Sequence, residues 1–114
     1  MSLTLKEICR KQKNFDKQIS INGKSFYTQI NEENIQELEH LIVCLVGELG
    51  EFSNLTKKIV RGDKFLNEEK SNLDEELVDT FIYLIKIANQ FDVDLEKGFL
   101  EKLAKNKNRF GQYI

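Results

Sequence analysis

The chain has 114 residues, of which 40% are apolar and 32% are charged, and its formal net charge is −2. This composition is typical of a folded domain and excludes a disordered chain, while the small net charge gives no general attraction to nucleic acid or to an anionic membrane. No apolar run is long enough to cross a bilayer, and the N-terminus MSLTLKEICRKQ lacks the apolar core of a signal peptide. We therefore expect a cytoplasmic protein without nucleic-acid or membrane partners.

Helices are favoured along the whole chain, because proline is absent and the β-branched residues do not alternate with polar ones. Thr4 and Glu7 form a capping-box pattern, which predicts a first helix that ends near Ile19. Asn22 and Gly23 then mark a turn. With no internal repeat or linker, residues 1–114 are predicted to form one all-α domain.

Three further helices are predicted after this turn. The second is capped by Asn31, ends at Gly62 and carries an apolar stripe formed by Ile35, Leu38, Ile42, Leu45, Leu49 and Phe52. The third is predicted over about 73–91, after a capping signature at Ser71. Its middle, VDTFIYLIKIA, is apolar almost all round, which indicates burial on several sides. Asp94 is the predicted cap of the fourth helix, which becomes basic toward its end.

Two pairs of carboxylates at i, i+3 are the main candidates for chemistry. Glu48 and Glu51 lie on the second helix, and Glu76 and Asp79 interrupt the apolar third helix. If these helices pack antiparallel, the two pairs can face each other. Four converging carboxylates cannot all stay ionised without a counter-charge, and oxygen ligands suit Mg²⁺ or Mn²⁺. The alternative is two unrelated, solvated acidic faces.

The histidine and the cysteines offer weaker signals. No serine or cysteine is paired with the single histidine, His40, by pattern, so we expect a structural or surface role for it and little support for nucleophilic catalysis. Cys9 and Cys44 have no CxxC motif and no nearby ligand cluster. We expect two ordinary buried or half-buried thiols, and neither a disulfide nor a zinc site.

Residues that can contact phosphate occupy two helices. Mg²⁺ held by carboxylates commonly meets substrate phosphates, so cations near the acidic pairs would complete a site. One lysine lies two turns beyond the acidic pair of the second helix, and three residues share one face of the fourth helix. These candidates are Lys58, Lys102, Asn106 and Arg109. A solvated surface position is the alternative for each of them. Tyr83 and Lys86 share the acidic face of the third helix and can border the site. The alternative for these two residues is a position at the edge of the core or on the surface.

The two acidic motifs occur in a recognisable order. GELGEF is followed by ELVD, with 24 residues between Glu51 and Glu76, and the C-terminal helix carries K-x-x-K-N-x-x-R. Together these motifs resemble the all-α nucleoside triphosphate pyrophosphohydrolases of the MazG type. The resemblance covers about residues 35–110 and includes LVGELGEFSNLTKK and DEELVDTFIYLIKIA.

The resemblance implies an enzyme that hydrolyses a (deoxy)nucleoside triphosphate to the monophosphate and pyrophosphate. By the same resemblance, the four acidic residues match the Mg²⁺ ligands, Glu75 orients one of them, and Lys102, Asn106 and Arg109 lie near the phosphates. It also implies a homodimer or homotetramer, so we expect a four-helix bundle-like protomer that dimerisation completes. The alternatives are an enzyme like the dimeric dUTPases or the phosphoribosyl-ATP pyrophosphohydrolases, or a non-enzymatic helical dimerisation or regulatory module.

Three aromatic residues and two glycines carry further expectations. Phe15, Phe26 and Tyr27 can stack on a base, although core packing is the commoner role of such residues. Gly47 and Gly50 are costly inside a helix, and we expect another helix or the substrate to lie against them.

Overall fold

The computed structural model describes residues 2–113 and confirms the all-α prediction. The helices are α1 (Leu5–Gln18), α2 (Gln36–Val60), α3 (Leu66–Gln90) and α4 (Leu95–Phe110). Two short strands, β1 (Ser20–Ile21) and β2 (Lys24–Ser25), lie between α1 and α2, and 3₁₀ turns cover Glu32–Asn34 and Gly111–Tyr113. Within the described residues, no helix has the length and apolar character that crossing a membrane requires.

The predicted start and end of α1 are confirmed. The backbone N–H of Glu7 donates to the Thr4 hydroxyl at 3.1 Å, which satisfies a helix N–H group that has no partner inside the helix. After Ile19, β1 and β2 form an antiparallel hairpin. Asn22 and Gly23, with φ of 54° and 78°, form the two-residue turn, because this turn needs positive φ at both positions. The sequence predicted the turn but not the strands on either side.

The prediction for α2 is confirmed at its end and corrected at its start. Asn31 caps the 3₁₀ turn that precedes the helix, where its side chain accepts from the backbone N–H groups of Glu33 and Asn34, and α2 itself begins at Gln36. At the other end Gly62 has φ of 86°, the left-handed conformation that commonly ends a helix.

The predicted start of α3 is wrong by about seven residues. The helix begins at Leu66, so Ser71 lies inside it and does not cap it. The acidic first turn, with Glu68 and Glu69, suits the positive end of the helix dipole and allows the earlier start. Asp74, expected to complete a capping pattern, instead pairs with Lys70 one turn away. The predicted end of α3 and the Asp94 cap of α4 are confirmed.

α2 and α3 form the most extensive helix pair, and α1 packs on α3. The buried apolar side chains are Ile30, Leu41, Leu73, Ile85 and Ala88. The buried Gln90 fastens the segment after the hairpin to the end of α3, because its side chain donates to the Phe26 carbonyl at 3.0 Å and accepts from the Thr28 N–H at 3.3 Å. The hairpin is thereby held beside the α2–α3 pair.

Much of the apolar surface of the protomer stays exposed. The radius of gyration is 17.4 Å, against about 13 Å for a compact chain of this length. The middle of α3, which we expected to be buried on several sides, is buried on one side only within one chain: Ile85 and Ala88 are buried, whereas Leu77 is 54% exposed and Leu84 44%. These two side chains line an open groove of about 510 Å³ with Leu45, Val78, Thr80 and Phe81.

Candidate active site

Three carboxylates meet between the middles of α2 and α3. Glu48 from α2 and Glu76 and Asp79 from α3 each offer an oxygen atom, and these three atoms lie within 4.8 Å of one another. The antiparallel packing of the two helices brings the i, i+3 pairs together, as the spacing predicted. All three side chains are half-buried. We refer to Glu48, Glu76 and Asp79, with the adjoining Glu51, as the acidic cluster.

Glu76 lies at the centre of the acidic cluster. Its Oε2 atom is buried and has no hydrogen-bond partner among residues 2–113. Burial, together with the close carboxylates of Glu51 and Glu48 and their negative charges, raises the pKa of Glu76 to about 7. The Glu51 side chain, which is exposed, is therefore close enough to Glu76 to influence its ionisation.

The acidic cluster fits a hard divalent cation. Its donors are all carboxylate oxygens, which suit Mg²⁺ or Mn²⁺, and the unpartnered Oε2 of Glu76 gives a buried acceptor that a cation would satisfy. A bound cation would also supply the counter-charge that four close carboxylates otherwise lack.

A cavity of about 230 Å³ opens beside the acidic cluster. It lies between the hairpin, α2 and α3, and its lining includes Phe26, Glu37, His40, Tyr83 and Lys86. Tyr83 connects the two places: burial raises the pKa of its hydroxyl, and Cys44, Glu48 and Asp79 add to the rise. Tyr83 thus lies between the cavity and the acidic cluster, whereas Lys86 lines the cavity.

Lys86 is also tied to the first helix. Its Nζ donates to Asp16 Oδ1 at 2.9 Å, and the Gln12 amide donates to the same oxygen at 3.0 Å. The Asp16 side chain is completely buried and that of Lys86 is 12% exposed. The ammonium group also lies 5.0 Å from the Phe26 ring centroid. Lys86 therefore connects α1 and the hairpin to α3 at the wall of the cavity.

The prediction that His40 has no cysteine partner is wrong. His40 Nε2 lies 3.7 Å from the Sγ of Cys44, which is one helical turn away on α2. The i, i+4 spacing was visible in the sequence and was the signal that could have found the pair. Both cysteines are free and half-buried, as expected, but Cys44 has a ligand-type neighbour.

The predicted phosphate-binding residues make no ion pair with the acidic cluster among residues 2–113. The helix that α4 contacts most is α1. Lys58 lies near the start of α3: the hydrogen bond from Asn72 lowers the pKa of Glu69 most, and the charges of Lys64 and Lys58 add to the lowering. Glu75 precedes Glu76 and is exposed.

Of the three aromatic residues that were predicted to stack on a base, one lines the cavity, and the two glycines have no neighbour from another element among the described residues of the protomer. Phe26 reaches the cavity, whereas Tyr27 lies beneath Lys13 and Lys17, and Phe15 is 53% exposed on α1. Gly47 and Gly50 face open space in the protomer: within the described chain, a Cβ added at either one would meet no atom within 4 Å beyond its chain neighbours and the backbone of its own helix. The expected contact against these glycines stays a prediction about the assembled protein.

The sequence of this chain is similar to those of known nucleotide pyrophosphohydrolases. The sequence model of the MazG nucleotide pyrophosphohydrolase domain family matches residues 36–112. The Gene 37 protein of Mycobacterium phage L5 is 35% identical over 99 residues, covering 81% of this chain and 86% of that protein. Human dCTP pyrophosphatase 1 is 30% identical over 93 residues, covering 78% of this chain, and its mouse counterpart is 29% identical over the same length. The match spans 55% of each dCTP pyrophosphatase. No solved structure matches.

Proposed function

The chain belongs to the MazG nucleotide pyrophosphohydrolase domain family, and we propose that it hydrolyses a (deoxy)nucleoside triphosphate to the monophosphate and pyrophosphate with Mg²⁺, or Mn²⁺, as cofactor. The observation that supports this activity best is the convergence of carboxylates around the unpartnered Oε2 of Glu76. Glu48, Glu51, Glu76 and Asp79 would hold the metal. Glu75 would orient Glu76 from the exposed side of α3.

In this reaction the carboxylates of the acidic cluster would hold the metal, and one of them would act as the general base. When bound, Mg²⁺ supplies positive charge that offsets the charge of the phosphates and of the departing pyrophosphate. One carboxylate holds the attacking water and accepts its proton as the water oxygen bonds to the α phosphorus. The bond from that phosphorus to the bridging oxygen breaks, and its electron pair leaves with pyrophosphate.

The cavity beside Tyr83 is the proposed site of the nucleoside. It adjoins the acidic cluster, so a triphosphate on the metal would extend its sugar and base toward the hairpin. Phe26 provides an aromatic surface there, and Glu37 and His40 provide polar groups that can form hydrogen bonds with the edge of a base. The relatives named dCTP pyrophosphatase 1 make dCTP the first nucleotide to test.

A second copy of this chain is the proposed source of the missing cations. The accessible surface of the protomer is 8735 Å², which exceeds by about 2,200 Å² the surface expected for a folded monomer of 13.4 kDa. That excess is of the size that each partner of an obligate homodimer buries. The exposed apolar groove between α2 and α3 and the exposed apolar side chains of α4 provide two surfaces for such an interface.

In the assembly that we propose, α4 of one protomer packs on the α2–α3 pair of its partner. Phe99, Leu100 and Leu103 of α4 are exposed in one chain and would supply the apolar contact. Lys102, Asn106 and Arg109 would then reach the phosphates held at the partner's acidic cluster, with Lys58 from α2 nearby. A homotetramer built from two such dimers would contain the same site.

Pyrophosphate release from a panel of deoxynucleoside and nucleoside triphosphates tests the activity. Glu51→Gln should abolish Mg²⁺-dependent turnover and leave the helical circular-dichroism signal intact, because it removes one charge from the acidic cluster and preserves its volume. Glu39→Gln, which changes an exposed glutamate on the same helix, is the matched control and should keep full activity. Full activity of Glu51→Gln, or no turnover of any nucleotide by the unaltered protein, would overturn the proposal.

A further inference from the structure

The ammonium group of Lys86 is held in place at the wall of the cavity beside Tyr83. Its Nζ donates to Asp16 Oδ1 at 2.9 Å and lies 5.0 Å from the centroid of the Phe26 ring and 5.9 Å from that of the Tyr83 ring. The Lys86 side chain is 12% exposed, whereas that of Lys24, which lines the same cavity, is 67% exposed. Lys86 is therefore a restrained cation in a nearly dry place, and Lys24 is a solvated one.

This ammonium group has unused hydrogen-bond donors. A lysine has three N–H donors, and among residues 2–113 the only acceptor within hydrogen-bond distance of Lys86 Nζ is Asp16. The rings of Phe26 and Tyr83 attract the charge but provide no hydrogen-bond acceptor to Nζ. Buried donors are nearly always satisfied, so the remaining N–H groups need an acceptor in the cavity that Lys86 lines.

The place of Lys86 on α3 decides which part of a nucleotide it can contact. Tyr83 and Lys86 follow Asp79 by four and seven residues, so the three side chains share one face of the helix. Seven residues correspond to about 10 Å along the helix axis. This distance separates Lys86 from phosphates on a metal at the acidic cluster, and a sugar with its base can span it. Lys86 therefore lies where the base would be, beyond the phosphates.

We propose that Lys86, held by Asp16, donates a hydrogen bond to the C2 carbonyl oxygen of a pyrimidine base in this cavity. An ammonium group only donates, and a carbonyl oxygen only accepts. The cavity volume of about 230 Å³ is below the range of about 300–1,000 Å³ that is typical of ligand pockets, which favours one-ring pyrimidines over two-ring purines. All pyrimidine bases share this carbonyl group, so Lys86 would select the class of base. The inference rests on the proposed function, which assigns the cavity to the nucleoside.

Two nucleotide analogues that differ chiefly in this carbonyl group test the contact. One is the α,β-methylene triphosphate of deoxycytidine, whose bridge between the α and β phosphorus atoms resists hydrolysis. The other is the same triphosphate of a 2-aminopyridine C-nucleoside, which keeps the ring and amino group of cytosine and lacks the C2 carbonyl. By titration calorimetry with Mg²⁺ at mildly alkaline pH, the full-length protein should bind the first about 10- to 100-fold more tightly, the usual gain from a charged donor. Equal affinities would overturn the proposal.

Lys86→Met separates a contact with the base from a purely structural role. It should weaken binding of the deoxycytidine analogue about 10- to 100-fold and that of the analogue without the carbonyl by less than about threefold. Lys70→Met, which changes an exposed lysine on the same helix, is the matched control and should keep both affinities. The same loss for both analogues in Lys86→Met would show that Lys86 acts only through the fold and would overturn the proposal.

A second measurement uses the unaltered protein, because Lys86→Met breaks a buried ion pair and its folding must be verified by circular dichroism. In protein with isotope-labelled lysine, the nuclear magnetic resonance signal of Lys86 Nζ should shift with the deoxycytidine analogue and stay nearly unmoved with the other. Equal shifts would contradict the contact. Pyrophosphate release from dCTP is measured separately: a protein that distinguishes the analogues through Lys86 but releases no pyrophosphate would overturn the proposed hydrolysis and support the contact with the base.

Discussion

At the scale of single residues, the chemistry depends on where one carboxyl group is placed. Glu76 is surrounded by Glu48, Glu51 and Asp79, and its Oε2 atom is buried without a partner. An isolated glutamate on a helix surface would titrate near 4.5, whereas burial and the neighbouring carboxylates raise the pKa of Glu76 to about 7. A proton and a divalent cation therefore compete for the carboxylate of Glu76.

This competition predicts how the stability of the metal-free protein depends on pH. Because the pKa of Glu76 is about 7 when folded and near 4.5 when unfolded, the folded chain binds the extra proton between these values. The free energy of unfolding should therefore fall as pH rises from about 4.5 to 7. Glu76→Gln should flatten this part of the profile, and so should saturating Mg²⁺.

Chemical denaturation at a series of pH values, at constant protein concentration, measures the profile. Glu68→Gln, an exposed change in the first turn of α3, serves as the control and should leave the slope unchanged. A slope that is the same in Glu76→Gln and in the unaltered protein would show that another group produces it.

At the scale of elements, one ion pair joins the helices that form the cavity wall. The Asp16–Lys86 pair connects α1 to α3 in a nearly dry environment, and the Lys86 ammonium also lies over the Phe26 ring of the segment after the hairpin. Removing one partner of a buried pair leaves the other charge buried without compensation. α1 and the hairpin are therefore expected to loosen together when this pair is broken.

Lys86→Met tests the connection, since methionine keeps the apolar stem and removes the charge. The free energy of unfolding should fall by about 3–5 kcal/mol, the usual loss when a buried pair is broken. Lys24→Met breaks the exposed Lys24–Glu37 pair, in which the lysine is 67% exposed, and should cost no more than about 1 kcal/mol. Urea denaturation measures both variants, and similar losses in the two would contradict a special role for the buried pair.

At the scale of the whole molecule, no ion pair among residues 2–113 joins the acidic cluster to a cation of α4. The acidic cluster lies between α2 and α3, whereas α4 packs chiefly on α1 and exposes Phe99 and Leu103. A protomer with this much exposed apolar surface is expected to associate. The dimer that we propose would also give Gly47 and Gly50 the neighbour that they lack in the single chain.

Mixing two inactive variants tests whether the cations come from the partner. Glu51→Gln removes an acid and Arg109→Ala removes a cation, so each homodimer should have low activity. After subunit exchange, a mixed dimer has one site with both the acid and the cation intact. Random exchange should restore about a quarter of the unaltered activity, because half of the dimers are mixed and each has one intact site of two. No recovery despite exchange shown by native mass spectrometry would place both groups in the same chain.

Local sequence signals determined most of the secondary structure. The Thr4 cap, the turn at Asn22–Gly23, the end of α2 at Gly62 and the Asp94 cap all depend on residues within one turn of one another, so their effect can be read without the fold. The start of α3 was misplaced because Ser71 satisfies a local capping pattern that the acidic first turn overrides. The two acidic pairs and their helical spacing were visible for the same local reason.

Only the tertiary structure decided what these residues meet. Helix packing sets the 4.8 Å grouping of Glu48, Glu76 and Asp79, and joins Asp16 to a lysine 70 residues away. The same packing places α4 against α1, and no ion pair among residues 2–113 joins the basic residues of α4 to the acidic cluster. Periodicity specifies the face of a helix on which a side chain lies, whereas the burial, pKa and neighbours of that side chain depend on which helix packs there.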